Sequence, residues 1–444
     1  MKFTQDDSSW ESAQIVDMTC ARHPTDALNV EDERQRLDYS FEHMRDIVLK
    51  LQIFPLLFVA LMNLLVATHA SAQTTQASRL VVDRDGVKSL MKRVMKFQVK
   101  AYADNPKVNW QAGAFWAGVM AADQATGDAA FHDAAKAWGE AVGWRLNVGS
   151  YTLHSDSIAV GQAYLDLFAK DQKGEMIGAL KPQMEKFLNV KTVGPQDVGK
   201  ASHVLNDSPY IGRNVWWWCD ALFMAPPTFA KMSQVTGDQR WLDLMHLLYW
   251  DAVDFLYDPD EKLFYRDATF FFDRRKTPSG KKVFWSRGNG WVYAGIIRTL
   301  DAMPKDDSHR QKYVDLFKQM TTAVVKCQGE DGMWRPCMND PEWFTTPESS
   351  GTGFFCYGLL AGINRGYLDR ETYLPKALHA WEGLTSHLDG DGLLGYAQRE
   401  GAGPARTSEY TFRDFANGAF LLAGSELYKL NLTAKDVSSL KERN

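Results

Sequence analysis

Asp220 to Tyr257 reads DALFMAPPTFAKMSQVTGDQRWLDLMHLLYWDAVDFLY, and these residues hold two unlike helices separated by a punctuation mark. In the first half Leu222, Phe223, Phe229, Met232 and Val235 recur at mixed three- and four-residue spacing with few charges between them. That pattern predicts a helix buried almost all round over Asp220 to Val235. The second half, Arg240 to Tyr257, keeps its charges on one face and predicts an outer helix. Thr236-Gly237-Asp238 divides them. The glycine suits the left-handed residue that ends a helix, and the aspartate caps the next one.

Working outward, the same alternation runs from Val81 to the end of the chain. Amphipathic segments occur at Asp85 to Tyr102, Ala129 to Trp144, Glu175 to Leu188, Arg240 to Tyr257, Arg310 to Cys327 and Leu374 to His387. Segments rich in Gly, Ala and aromatics occur at Gln111 to Ala125, Ile158 to Ala169, Asp220 to Val235, Gly290 to Ala302, Gly353 to Asn364 and Ala416 to Leu430. Six outer helices thus alternate with six inner ones, and little reads as sheet. The simplest closure of six such hairpins is an all-α (α/α)6 barrel. Thr126-Gly127-Asp128 repeats the punctuation and fixes one direction for every inner helix. The segments preceding those helices therefore gather at one end, as a common mouth of tryptophans, carboxylates and arginines into which six helix N-termini point. Such a setting favours an anionic ligand.

Ahead of the barrel, residues 1–43 are polar and acidic, a doubtful extension to which no function is given. Arg45 and Lys50 then precede an apolar run from Leu51 to Val66, and Ala70-Ser71-Ala72 supplies a small-x-small cleavage pattern before Gln73. Residues 44–72 read as a signal peptide, short of the ~20 apolar residues that a bilayer span needs. The expectation is an exported protein, periplasmic or secreted, without stable membrane association after cleavage. Residues 73–434 would form the catalytic domain, and 435–444 a C-terminal tail. The leader carries 6 Lys+Arg against 11 Asp+Glu, so the whole chain's 50 and 55 fall to 44 and 44 in the remainder. That balance offers no basic footprint for nucleic acid. Cys219, Cys327, Cys337 and Cys356 form no C-x-x-C and no zinc-like spacing, and read by default as free buried thiols, although an exported chain could join two of them.

The chemistry concentrates in the mouth segments. Asp220 stands directly behind Trp216, Trp217, Trp218 and Cys219. An acid set among indoles is a proton donor in waiting, since apolar desolvation raises a carboxyl pKa while a helix dipole or nearby cation lowers it. The plainer reading is an N-cap beside packed aromatics. Trp110 in Asn109-Trp110-Gln111, and His154 with Asp156 in His154-Ser155-Asp156, belong to the same end. So do Trp285, Arg287, Asn289 and Trp291 in Trp285-Ser286-Arg287-Gly288-Asn289-Gly290-Trp291, where two glycines flanking Asn289 let backbone approach a ligand. Indole faces suit the C–H faces of pyranose rings, although any one of these tryptophans suits a core equally well. A sugar carboxylate would find Arg287, Arg213 or a helix N-terminus. G-x-x-x-x-G-K-[ST], G-x-S-x-G and H-E-x-x-H are all absent, which removes phosphate-loop, serine-hydrolase and zincin chemistry.

Taken together, W-W-W-C-D-A-L-F-M-A-P-P at 216–227, W-S-R-G-N-G-W at 285–291 and G-Q-A-Y-L-D-L-F behind Asp156 resemble glycoside hydrolase families 88 and 105, the unsaturated glucuronyl and rhamnogalacturonyl hydrolases, most closely family 105. The resemblance spans roughly residues 85 to 430. It implies an (α/α)6 barrel and a reaction without metal or cofactor on a 4,5-unsaturated uronic acid at the non-reducing end of an oligosaccharide left by a polysaccharide lyase. It further implies Asp220 as general acid/base, Asp156 as the second aspartate, and Trp285, Arg287 and Trp291 as holders of the uronate. Trp217, Trp110, His154 and Asn289 complete the expected substrate site. Two departures stand out: Ser155-Asp156-Ser157 where paired acids are usual, and Arg266-Asp267 after Leu263-Phe264-Tyr265 where some relatives have histidine. These leave the catalytic class intact and the leaving sugar open, with rhamnose or sulfated rhamnose both admissible, and Arg266 joins the expected substrate-binding residues. The expected chemistry is hydration of the enol-ether double bond. The alternatives are an inverting two-carboxylate glycosidase acting on saturated substrates and a non-catalytic carbohydrate-binding barrel.

Overall fold

The computed structural model describes residues 80–147, 153–188, 215–433 and 436. The leader and Arg213 lie outside the described residues. The outer helices are α1 (Arg84–Ala101), α3 (Ala129–Ala141), α5 (Leu180–Phe187), α8 (Arg240–Leu256), α10 (Arg310–Val324) and α12 (Arg370–Ser386). The inner helices are α2 (Trp110–Thr126), α4 (Gly161–Asp171), the pair α6 (Ala221–Met224) and α7 (Pro226–Thr236), α9 (Ser286–Ala302), α11 (Ser349–Asn364) and α13 (Asp414–Lys429). Around the ring α2 packs on α4, α4 on α7, α6 and α7 on α9, α9 on α11, α11 on α13, and α13 back on α2. The (α/α)6 barrel is therefore closed. Sheet among the described residues amounts to one antiparallel pair, β1 (Tyr257–Asp258) and β2 (Leu263–Phe264), with Tyr257 opposite Phe264.

Each layer follows from its pattern. On α1 the buried residues Val87, Met91, Val94, Met95 and Gln98 recur every three or four positions, giving one inward stripe. On α9 every residue but Asp301 is buried, and on α11 every residue but Asn364. Helices enclosed on all sides need close approach. A methyl on Gly295 would stand 2.3 Å from the Leu222 carbonyl oxygen. Gly127 and Gly237 end α2 and α7 at φ 65° and 68°. Asp128 then accepts from the Ala130 amide at 3.1 Å, and Asp238 from the Arg240 amide at 3.0 Å. Among the described residues Cys219, Cys327, Cys337 and Cys356 are free thiols, and no helix is long and apolar enough to cross a membrane.

Several boundaries differ from expectation. The helix expected over Asp220 to Val235 breaks at Ala225, because Pro226 and Pro227 lack the N–H groups a continuous helix needs. The expected Ile158 to Ala169 helix is a 3-10 turn, Ser155–Ile158, followed by α4. Outer helix Glu175 to Leu188 likewise opens as a 3-10 turn, Gly174–Ile177. Most consequentially, α9 and α11 start four residues before Gly290 and Gly353, so Arg287 and Asn289 sit inside a first helical turn and not on a loop. Their glycines serve packing: a methyl on Gly290 would stand 3.3 Å from the Gly351 Cα.

Candidate active site

Asp220 ends the short segment leading into α6. Its backbone is helical and its side chain caps nothing, so the plain N-cap reading fails. Instead its Oδ2 accepts from the Cys219 thiol at 3.4 Å and faces Arg266 Nε at 3.9 Å. The Cys219 amide donates to the Arg266 carbonyl at 2.8 Å, which stitches the acid's segment to the one following β2. Arg266 is itself held by Asp267, through Nη1, and lies over the Trp217 ring at 5.3 Å. Asp267 is buried, capping the Thr269 amide at 2.8 Å.

Asp156 approaches the same point from the 3-10 turn ahead of α4. His154 Nδ1 accepts from the Asp156 amide at 3.3 Å, and its ring packs on Trp218 at 4.7 Å. Burial, with the Arg266 charge nearby, pushes His154 down to about 4. It is neutral at neutral pH, and its 3.7 Å approach to the Asp156 carboxyl is no ion pair. Burial raises both carboxyls. Asp156 is pushed up to about 7, with the Asp220 charge adding to the burial and Arg266 opposing it. Asp220 is raised by burial against the opposing charges of Arg266 and Arg287. Both stay reachable: side-chain exposure is 27% at Asp156, 14% at Asp220 and 16% at Arg266.

Exposure divides the expected site residues into two groups. Trp110, His154, Asp156, Trp217, Asp220 and Arg266 are partly exposed. Trp285, Arg287, Asn289 and Trp291 are buried. Arg287 must accordingly be reassigned. Its guanidinium lies between the Trp285 and Phe415 rings at 4.3 and 4.8 Å, and donates to the carbonyls of Gln398 and Arg399 at 2.9 and 3.0 Å. It reaches the site as buried positive charge behind Asp220 and as an anchor for residues 398–399. Asn289 binds both backbone groups of Phe264, at 2.7 and 3.0 Å, and so positions β2 and with it Arg266. Trp291 packs among Phe223, Phe354 and Trp110 and serves as floor.

Two contributors were not among the expected site residues, although Glu348 lies in a mouth segment, Glu348-Ser349-Ser350-Gly351. Glu348 is buried and caps α11, accepting from the amides of Ser350, Gly351 and Gln398 at 3.1, 2.6 and 3.2 Å. Gln398 accepts from Trp285 Nε1 at 3.0 Å. Glu348 carried a signal, an acid directly before Ser349-Ser350-Gly351; Gln398 sits in a loop with no local pattern.

A closed (α/α)6 barrel whose mouth recesses two carboxyls, both raised by burial, beside a cation and indole faces defines the class: a glycosidase acting on an acidic sugar. The chain belongs to glycosyl hydrolase family 88, whose family model matches residues 84–431. It is 37% identical over 327 residues, 72% of this chain and 85% of the other, to an unsaturated 3S-rhamnoglycuronyl hydrolase of Formosa agariphila. It is 32% identical over 74% of its length to one from Alteromonas sp., covering 79% of that protein. A solved family 88 glycosyl hydrolase from Bacteroides vulgatus superposes with TM-score 0.68 at 27% identity, over 78% of this chain and 99% of that one. The chain is thus a glycoside hydrolase, and neither of the alternative readings is favoured.

Proposed function

We propose that this enzyme removes a 4,5-unsaturated uronic acid from the non-reducing end of lyase-generated oligosaccharides in which the uronate is linked to sulfated rhamnose. The observation that carries the reaction is the recessed Asp156–Asp220 pair facing Arg266. The leaving sugar is supported by the names of two relatives, both unsaturated 3S-rhamnoglycuronyl hydrolases.

Between them the two carboxyls retain a proton toward neutral pH, a condition for general acid catalysis there. Asp220 delivers that proton to C4 of the enol ether, and positive charge develops at C5 and the ring oxygen. A water molecule adds to C5 while a carboxylate of the pair takes its proton, so the acid is regenerated. The hemiketal then opens at its C5–ring oxygen bond, leaving a C5 ketone and a C1 hemiacetal that expels the sugar alcohol. Arg266 is the accessible cation and holds the C6 carboxylate, with Trp217 and Trp110 against the ring faces. A charge-assisted bond of that kind is worth about 1.5–3 kcal/mol.

The test is to incubate purified enzyme with unsaturated oligosaccharides bearing 3-sulfated rhamnose and follow the ultraviolet absorbance of the conjugated enol. Loss of absorbance with release of the saturated remainder is expected. Equal cleavage of saturated analogues would overturn the hydration mechanism, and equal rates on unsulfated rhamnose would overturn the leaving-sugar assignment.

A further inference from the structure

Away from the mouth, a second group of ligand-bearing side chains meets on the outer layer of the barrel. His246 stands on α8, and Asp307 and His309 lie in the connection from α9 to α10. Each brings a nitrogen or oxygen within 4.8 Å of the others. His246 Nε2 is 3.2 Å from Asp307 Oδ2, and His309 Nδ1 is 3.3 Å from Asp307 Oδ1. The two imidazoles stack with centroids 3.9 Å apart and planes 20° from parallel. Nothing in the proposed reaction uses these residues.

We propose that His246, Asp307 and His309 bind a divalent zinc-type ion that clips α8 to the connection ahead of α10. Two ligand atoms about 2.0–2.2 Å from a tetrahedral ion are about 3.4 Å apart, close to the 3.2 Å from His246 Nε2 to Asp307 Oδ2 and the 3.3 Å from His309 Nδ1 to Asp307 Oδ1. Two imidazoles and one carboxylate form a borderline donor set suited to Zn²⁺. The supporting contact is also present. Tyr313 Oη lies 3.1 Å from His246 Nδ1, and a hydroxyl can accept from that nitrogen, leaving the Nε2 lone pair for the ion.

Local charge also favours a cation. Asp243, on the same helix, adds its field at His246. The neighbouring cations are engaged elsewhere: Lys312 over the Trp250 ring at 3.8 Å, Arg310 on the Leu300 and Met303 carbonyls at 2.7 and 3.0 Å. The side chain of His309 is 46% exposed while those of His246 and Asp307 are 5% and 6%. One ligand can therefore swing to close on an entering ion, and solvent can supply the fourth position.

The experiment uses the full chain without an affinity tag, stripped by a chelator and titrated with Co²⁺ at neutral pH. One equivalent should bind with visible ligand-field bands and no thiolate charge-transfer band, which separates this site from the free cysteines. Zn²⁺ should displace the colour and raise the thermal midpoint. His309→Gln, at the exposed ligand, should weaken binding by about tenfold or more with the metal-free midpoint unchanged, and Asp307→Asn should weaken binding as well. Failure to bind one equivalent at micromolar metal, or binding unaltered in His309→Gln, would overturn the site and leave a hydrogen-bonded His–Asp–His cluster.

Discussion

Asp220→Asn removes a transferable proton while nearly keeping the shape of the side chain. Because Asp220 makes no capping bond, the thermal midpoint should hardly fall while kcat drops by roughly 10²–10⁴; near-normal kcat would exclude Asp220 from proton transfer. Arg266→Gln separates binding from chemistry. Loss of one charge-assisted bond should raise KM by about 10–150-fold, and because Arg266 lowers both neighbouring carboxyls, the alkaline limb of the rate profile should move to higher pH. Steady-state kinetics across pH shows both effects, and an unchanged KM would free Arg266 of the uronate. Asp156 adds a stability effect of definite sign. Its carboxyl is held at about 7 in the fold by burial and the Asp220 charge, against about 3.9 unfolded. The folded state binds the extra proton between those values, so this contribution is fully present below about pH 4 and lost as pH rises through 7. Thermal scans from pH 4 to 8 should show that decline, and Asp156→Asn should flatten it.

At the level of elements, α9 carries the largest difference between reading and structure. Its Gly288 and Gly290 suggested a ligand-cradling turn, since glycine is a poor helix former, but packing against α11 overrides propensity and draws Arg287 into the first turn. There it holds residues 398–399 from 111 and 112 positions away, a distance over which no local pattern could announce the pairing. Arg287→Lys should therefore act first on that segment. A single ammonium cannot serve both carbonyls or stack between two rings, so a loss of about 1–3 kcal/mol is expected, with faster amide exchange at Gln398 and Arg399. Unchanged exchange there would refute the anchor. What was legible follows the same logic. The layers were visible because burial on one face or on all faces leaves its period in the sequence, and Thr-Gly-Asp marked helix ends because the left-handed residue requires glycine. The Pro226 break was equally local, though outvoted by the apolar spacing around it. Which mouth residues face solvent depended on neighbouring elements, and so the uronate was given to Arg287, which the fold buries, while Arg266 stays accessible.

For the molecule as a whole, the seam between α2 and α13 decides whether the ring closes. A methyl on Gly418 would stand 2.4 Å from the Ala114 carbonyl oxygen, and one on Gly118 2.4 Å from the Gly418 carbonyl oxygen. Both obstacles are rigid backbone. Gly418→Val should accordingly cost more than the 1–3 kcal/mol typical of overpacking and lower the thermal midpoint, and a midpoint left in place would show that the seam has slack. Bonds from α13 to α1 and the residue that ends it span equally long separations: Asn417 Nδ2 to Gln98 Oε1 at 2.9 Å, and Tyr102 Oη to Asp414 Oδ2 at 2.5 Å. Gly118 and Gly418 are 300 positions apart, which gives the seam a place in time as well as in space. A ribosome adding 5–20 residues each second needs roughly 15–60 s to travel that far. Throughout that interval the apolar flank of α2 has no final partner, and nascent chains stalled ahead of α13 should be the ones that chaperones retain.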